Sequence, residues 1–370
     1  MSARTATATA ATAPPGYDYG NARVRAMWGR LLDRPAYDRM LGLDAERMLE
    51  LLAAGEHGPD VRYALGRARG VSAIHMAVRR NLSRSLIAVR SFYGGDAGLA
   101  VNVVLSRWDV ANVVALLRAQ AVEADVDDAV SMVVAAGTID EAAAREIAGQ
   151  PGLRAAAGLL AAWSVPDDRT ALAALRGIAA YEATGDLAML EEEVLRAWAA
   201  QMDEELARLG RAGAPLDALR EEVDQRNALL ALRVRALPRL RSAGTEAPTR
   251  ERFVPGGLID RRVFPVAAAA ASPGDAAAVL AGPTAAAPWR PALTRWVADG
   301  DLSRLQRELQ VSHTLRTMAL FRSGDPLGVA VPLAYVFAKE NEARNVRIVA
   351  YGGASGVPPA VIRDQVVAPW

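Results

Sequence analysis

The segment Leu105–Ala121, LSRWDVANVVALLRAQA, decides the fold class, because Val101, Leu105, Trp108, Asn112 and Leu116 recur at spacings of three and four. That spacing lines them up on one stripe of an α-helix, whereas a half-buried strand would alternate. The same stripe recurs at Asn21, Val24, Trp28 and Leu31, and again at Val223, Asn227, Leu230, Val234 and Leu237. Strand-type alternation is hard to find elsewhere, so an all-α protein is predicted. Composition agrees. Hydrophobic residues make up 52% and aromatics only 5%, and alanine, which loses no side-chain entropy in a helix, supplies much of the apolar count. A chain of 370 residues suffices for two or three modest domains.

Within these stripes an acid and an asparagine recur three residues apart: Asp18 and Asn21, Asp109 and Asn112, Asp224 and Asn227, Glu342 and Asn345. The asparagines are separated by 91, 115 and 118 residues. A second echo, Gly185-Asp186-Leu187 and Gly300-Asp301-Leu302, is also 115 apart, and each copy precedes a charged helix. Such self-similarity indicates repeated structural units. An amide inside an apolar stripe must find buried partners, usually neighbouring backbone, and the acid beside it can satisfy a helix N-terminus. The motif is therefore expected to be a structural clamp, with an interface role as the sharper reading. Units are expected over residues 16–121, 122–237 and 238–370, after a Thr/Ala-rich disordered tail, 1–15.

Local signals mark the ends of elements. Breaks are expected at Gly55–Pro59, Gly94–Gly98, Gly149–Gly152, Gly210–Pro215, Ser242–Pro248 and Ala281–Pro291. Asp325-Pro326 reads as an N-cap and first helical position, Pro332 as a division between a short and a long helix, and Gly352-Gly353 as a left-handed ending. No stretch reads as a membrane span; the best uncharged run, Pro326–Ala338, is too short.

Net charge is +1, which argues against a nucleic-acid binder. Charge is nonetheless segregated. Residues 61–90 hold Arg62, Arg67, Arg69, Arg79, Arg80, Arg84 and Arg90 with no acid, either as solvated helix faces or as a contact with an acidic partner or lipid headgroups. The single lysine, Lys339, among many arginines fits the codon usage of a GC-rich genome.

No catalytic constellation stands out. There is no cysteine, and His57, His75 and His313 share no ligand spacing. Neither a G-x-S-x-G elbow nor a phosphate-binding G-x-x-x-x-G-K-[ST] loop is present. Asp125–Asp128 lacks a second acid cluster to make a magnesium site, and Lys339 sits among carboxylates that keep it protonated. No cofactor, metal or active site is expected.

The repeat-bearing segments also resemble a known family. GYDYGNARVRAMWGRLL (from Gly16), LSRWDVANVVALLRAQA, YEATGDLAMLEEEVLRAW, EEVDQRNALLALRVRAL and, above all, GDPLGVAVPLAYVFAKENEARNVRIVAYGGASGVPPAVIRDQV resemble the C subunits of V/A-type ATPases, relatives of the eukaryotic d subunit. The resemblance runs from Gly16 to about Val367; the Thr/Ala tail and the Ala/Pro-rich stretch 266–291 depart from it. It implies a funnel or socket of three pseudo-symmetric helical bundles without an active site. It implies a place between the central shaft, formed by the D and F subunits, and the proteolipid ring, on the cytoplasmic face of the membrane. On that reading the arginines Arg62, Arg67, Arg69, Arg79, Arg80 and Arg84 are candidates for the ring or headgroup contact. A helical scaffold unconnected to a rotary motor is the alternative, although solenoid repeats would be less than half as long.

Overall fold

The computed structural model describes residues 16–210, 215–236 and 252–368. The protein is 78% helical, with no strand among the described residues. Eighteen α-helices follow one another among them. The first six are α1 (Asp18–Trp28), α2 (Arg34–Met40), α3 (Ala45–Ala53), α4 (Gly58–Leu65), α5 (Gly70–Ser91) and α6 (Gly95–Ala121). Then come α7 (Val126–Met132), α8 (Glu141–Ala148), α9 (Leu153–Trp163), α10 (Asp168–Thr184), α11 (Leu187–Leu209) and α12 (Asp217–Ala236). The last are α13 (Val263–Ala269), α14 (Pro273–Ala281), α15 (Arg290–Asp299), α16 (Leu302–Ser323), α17 (Ala330–Ala354) and α18 (Pro359–Gln365).

Local chemistry sets many of these boundaries. Asp33, Asp44, Asp140, Asp167, Asp186 and Asp301 each accept a backbone N–H from the first turn of the helix they precede. Gly185 and Gly300, at φ of 69° and 70°, close α10 and α15 in the left-handed conformation that glycine adopts without cost. Each is followed directly by the aspartate cap of the next helix, so the Gly-Asp-Leu echo is a helix–turn–helix joint used twice.

Several local expectations are corrected. Asp325 and Pro326 form a turn, Leu327 N–H donating to Asp325 at 2.9 Å, and no helix starts there. Pro332 divides nothing: it lies in the first turn of α17, where a missing N–H has no intrahelical acceptor to lose. Gly352 and Gly353 lie inside α17, and the left-handed residue is Gly356, at φ of 70°. The Ala/Pro-rich stretch 266–291 holds short helices and a 3-10 segment, Thr284–Trp289, that buries Trp289. Of the expected joints, the one at 122 falls at the C-terminus of α6. The boundary expected at 238, the break at Ser242–Pro248, residues 211–214 of the break at Gly210–Pro215 and the tail 1–15 lie outside the described residues.

The reading that no stretch is apolar enough to span a membrane is also corrected. By length and composition α6 qualifies. It is instead the core helix of the fold, burying Val101, Leu105, Val113 and Leu116, and it carries the ionisable Arg107 and Asp109 midway. A main hydrophobic core runs from Val24 to Ile362. A second joins the end of α12 to residues 259–309. Although α17 lies near the C-terminus, it packs on α1, α2, α3, α5, α6 and α16, and so ties the two ends of the chain together.

A clamp used three times around a charged cleft

In three of the four acid–asparagine pairs the asparagine makes the same contacts. Asn112 donates from Nδ2 to the Val134 carbonyl at 2.8 Å and accepts the Val134 N–H at 3.0 Å. Asn227 does the same with Val254, at 2.8 and 3.0 Å, and Asn345 with Val367, at 2.9 and 3.1 Å. Each amide thus replaces a piece of β-ladder for one residue of an extended segment, satisfying its donor and its acceptor together. The acid one turn earlier holds a second stretch of backbone. Asp109 accepts from Thr138 and Ile139, Asp224 from Leu258 and Ile259, and Glu342 from Leu32.

Two of the acids press on a glycine. A Cβ on Gly137 would lie 2.0 Å from the Asp109 carboxylate, and one on Gly257 would lie 2.0 Å from that of Asp224. Burial pushes the Asp109 carboxyl up and that of Asp224 up to about 7, against the backbone amides that favour the anion.

The first pair is different. Asp18 is exposed, and the buried Asn21 donates to the carbonyls of Pro326 and Gly328 while accepting from the Tyr93 hydroxyl at 2.7 Å. It anchors the turn before α17 and is not a fourth copy of the clamp.

Two residues before each clamp acid stand Arg107, Glu222 and Glu340, and these three meet. Arg107 pairs with Glu222 at 2.6 Å and also with Glu340, which in turn accepts the Trp108 indole N–H at 2.9 Å. The helices that carry the clamps, α6, α12 and α17, therefore converge on one ion triad. Beside it opens a cleft of about 660 Å³, lined by Arg107, Arg118, Glu191, Arg226, Glu340 and Arg344 among others. Arg118 pairs with Glu191 and Arg226 with Glu192, so the cleft wall is densely charged but largely self-compensated.

His313 joins α16 to this centre. Its Nδ1 lies 3.2 Å from Glu221 and its Nε2 3.6 Å from Glu222. Burial would lower the imidazole pKa, but the two carboxylates outweigh it and the net shift is upward. Burial would likewise raise both glutamates. His313 and Arg316 acting on Glu221, and Arg107 and His313 acting on Glu222, overcome it and hold each near 2. On the other side of α17, buried Lys339 pairs with Glu342, and His57 Nε2 lies 3.6 Å from the same carboxylate. Burial, reinforced by Lys339, drives His57 down to about 4.

The arginines of residues 61–90 are less free than the sequence suggests, because Asp60 lies one residue upstream and is buried. Arg84 pairs with it at 2.9 Å and Arg80 at 3.5 Å. Arg79 donates to the carbonyls of Val130 and Val133, and Arg90 to that of Gly137. Arg67 stacks 3.8 Å from the Tyr63 ring, and Arg69 donates to Leu65 and Ala68 at the end of α4. Arg62, Arg67 and Arg69 remain exposed.

Asp125 caps α7 and Asp127 pairs with Arg145 at 2.7 Å, so this acid run is built into a helix start. The triad is not legible in the sequence as a motif. A signal exists, since aligning the three clamps places Arg, Glu and Glu at one position, but charges of opposite sign do not read as a motif until they touch. His313 and its two carboxylates, about ninety residues apart, leave no local signal at all.

Comparison with known proteins places the chain in context. The profile of the ATP synthase (C/AC39) subunit family matches residues 20–365. The chain is 25% identical over 356 residues to the A-type ATP synthase C subunit of Methanosarcina mazei, covering 95% of this chain and 92% of that protein. It is 29% identical over 359 residues to the V-type ATP synthase C subunit of Thermus thermophilus, covering 95% and 99%. With the V-type ATP synthase C subunit of Deinococcus radiodurans it shares 27% over 361 residues, covering 96% and 92%.

Proposed function

The chain belongs to the ATP synthase (C/AC39) subunit family, and we propose on that premise that it is the non-catalytic rotor subunit of a V/A-type rotary ATPase. In this role it couples the central shaft, made of the D and F subunits, to the proteolipid ring, peripheral on the cytoplasmic face of the membrane. One observation carries the reading. Three clamp-bearing helices converge on the Arg107–Glu222–Glu340 triad, beside an open cleft. Such a centre resists shear, because α6 is tied by charge to both α12 and α17 and each helix holds a loop segment by paired backbone bonds. A torque-bearing part needs that stiffness and needs no chemistry of its own. The exposed Arg62, Arg67 and Arg69 are the remaining candidates for a contact with the ring or with anionic headgroups, and such a contact weakens with salt.

The test is a reconstituted motor lacking this chain, assayed for ATP hydrolysis and for ion pumping into vesicles. The expected result is hydrolysis retained and pumping lost. Pumping at the normal rate without the chain would favour a scaffold outside the torque path.

A further inference from the structure

Apart from the central cleft, a second cavity of about 440 Å³ opens where α1, α5 and α17 meet. Three helices wall it. Arg23, Met27 and Arg30 follow along α1 and just past its end at steps of four and three. Ser85, Ala88 and Phe92 follow along α5 at steps of three and four, beside Arg84, and Tyr335 and Lys339 stand four apart on α17. Four of the lining side chains are cations, Arg23, Arg30, Arg84 and Lys339, against one acid, Glu56, among the described residues. The other acids of the neighbourhood stand behind the wall. Asp60 and Glu342 are buried and do not line the cavity. Asp60 is taken up by Arg84, Arg80 and Asn81, and Glu342 by Lys339 and the Leu32 N–H.

These pairings leave donors over. Arg84 gives Nε and Nη2 to Asp60 and the Glu56 carbonyl, and its Nη1 has no acceptor among the described residues. Arg30 gives Nη1 to Glu56. Arg23 meets no acid: it lies 4.5 Å from the centroid of the Phe92 ring and donates to the Tyr19 hydroxyl at 2.6 Å. Lys339 is only 3% exposed, and Glu342 accepts one of its three N–H bonds. The three arginines are exposed, whereas Lys339, Ser85 and Tyr335 are buried. The cavity thus has a rim of guanidinium groups open to solvent and a polar floor that carries an ammonium.

Positive charge gathered in a concave site concentrates anions there. The geometry selects among them. Guanidinium forks and an ammonium that approach from three helices need an acceptor whose lone pairs point in several directions. The three terminal oxygens of a phosphate supply them, whereas a carboxylate offers two oxygens in one plane. The volume lies within the range of about 300–1,000 Å³ that small organic ligands occupy, so it exceeds the need of a bare anion. The rest of the wall, Ala26, Met27, Leu31, Ala88 and Phe92, is apolar and suits a carbon body beside the charge. We propose that this cavity is a binding site for a phosphomonoester, its phosphate held by Arg23, Arg30, Arg84 and Lys339 and its organic part lying along Met27 and Phe92. The site is separate from the central cleft and does not depend on the rotor reading. A soluble phosphate ester and the headgroup of phosphatidic acid both present this chemistry, and the experiment separates them.

The experiment titrates the full-length chain with phenyl phosphate and with inorganic phosphate by calorimetry at fixed ionic strength. It also sediments the chain with phosphatidylcholine vesicles, with and without phosphatidic acid. The parent should bind phenyl phosphate at one site, more tightly than inorganic phosphate. Arg23→Gln, which breaks no ion pair, should weaken that binding tenfold or more, and Arg23→Gln with Arg30→Gln should weaken it further. Both variants should melt close to the parent, because the two arginines are exposed; if the double variant is destabilised, Arg23→Gln alone decides. Arg39→Gln with Arg47→Gln, exposed arginines that do not line the cavity, should bind as the parent does. Binding to phosphatidic acid vesicles that requires Arg23, without binding of phenyl phosphate, supports the site and makes its source a lipid; the reverse supports it and makes the source soluble. Phenyl phosphate and phosphatidic acid both ignored by the parent, or bound equally well by the double variant, overturn the proposal. Tighter binding of a glutamate-rich peptide through the same two arginines also overturns it, because the occupant would then be a carboxylate of a partner protein.

Discussion

Arg107 and Glu222 stand at the same place on different helices, each two residues before the aspartate of its clamp, and they bond to one another at 2.6 Å. Residues 115 positions apart thus meet because the segments that carry them meet at one point. Glu340, at the corresponding place on α17, closes the triad on the same guanidinium. The first prediction follows. Arg107→Met leaves two half-buried carboxylates facing each other and should cost roughly 3–5 kcal/mol in urea unfolding. Adding Glu222→Gln and Glu340→Gln should restore much of the loss, and if each substitution simply adds, the three do not act as a unit.

The clamp asparagines hold both polar groups of one backbone residue. Asn227→Leu should therefore cost roughly 1–3 kcal/mol by stranding the Val254 N–H and carbonyl. Asn112→Leu and Asn345→Leu should behave alike. Asn21→Leu differs in kind, because it frees two carbonyls and the Tyr93 hydroxyl but no backbone N–H. Chemical denaturation of the four variants checks this, and hydrogen exchange at Val134, Val254 and Val367 should rise only in the matching clamp variant.

Gly137 and Gly257 are predicted to reject alanine. Each Cβ would fall 2.0 Å from a clamp carboxylate that must stay in place to accept two amides. Gly137→Ala and Gly257→Ala should each lose about 2–3 kcal/mol, the cost of displacing a buried carboxylate from its donors. Melting that matches the parent would show that the loop can retreat.

Two histidines give opposite pH signatures. His313 has a raised pKa, so its contribution is complete below the ordinary value of 6.5 and fades as pH rises through its folded value. His313→Gln should therefore be most destabilised in mild acid and approach the parent in alkali. His57 is lowered from 6.5 to about 4, so its contribution is complete above 6.5 and is lost as pH falls through 4. Glu342, also lowered by Lys339 and His57 against its burial, is lost in the same direction. His57→Gln should flatten the acid limb of the stability profile between pH 6.5 and 4. Equal slopes in parent and variant would mean that neither imidazole changes its charge on folding.

How much of this was legible depends on range. The helical class was written in spacings of three and four that any stretch of about twenty residues displays, and the clamp pairs lay within one turn of a helix. The Gly-Asp-Leu joint was visible because a left-handed glycine and an aspartate cap act over four residues. Local signals misled where two roles share a residue: Asp325 and Pro326 suit a turn as well as a cap, and Pro332 is harmless in a first turn. The basic stretch looked free of acids only because Asp60 lies just outside it.

By itself the sequence determined that the chain is helical, that an asparagine stands in the apolar stripe of several helices, and that an acid accompanies it, because these depend on contacts among near neighbours. The tertiary structure alone decided which pairs are clamps. Asp109, Asp224 and Glu342 found loop amides, while Asp18 faces solvent. It also decided that Arg107, Glu222 and Glu340 meet, that His313 is shared between two glutamates, and that Arg23, Arg30, Arg84 and Lys339 line one cavity. The reason is physical. A charge is valued by what lies within a few ångströms of it once water has been removed, and for these residues that neighbourhood is assembled from helices far apart in the chain.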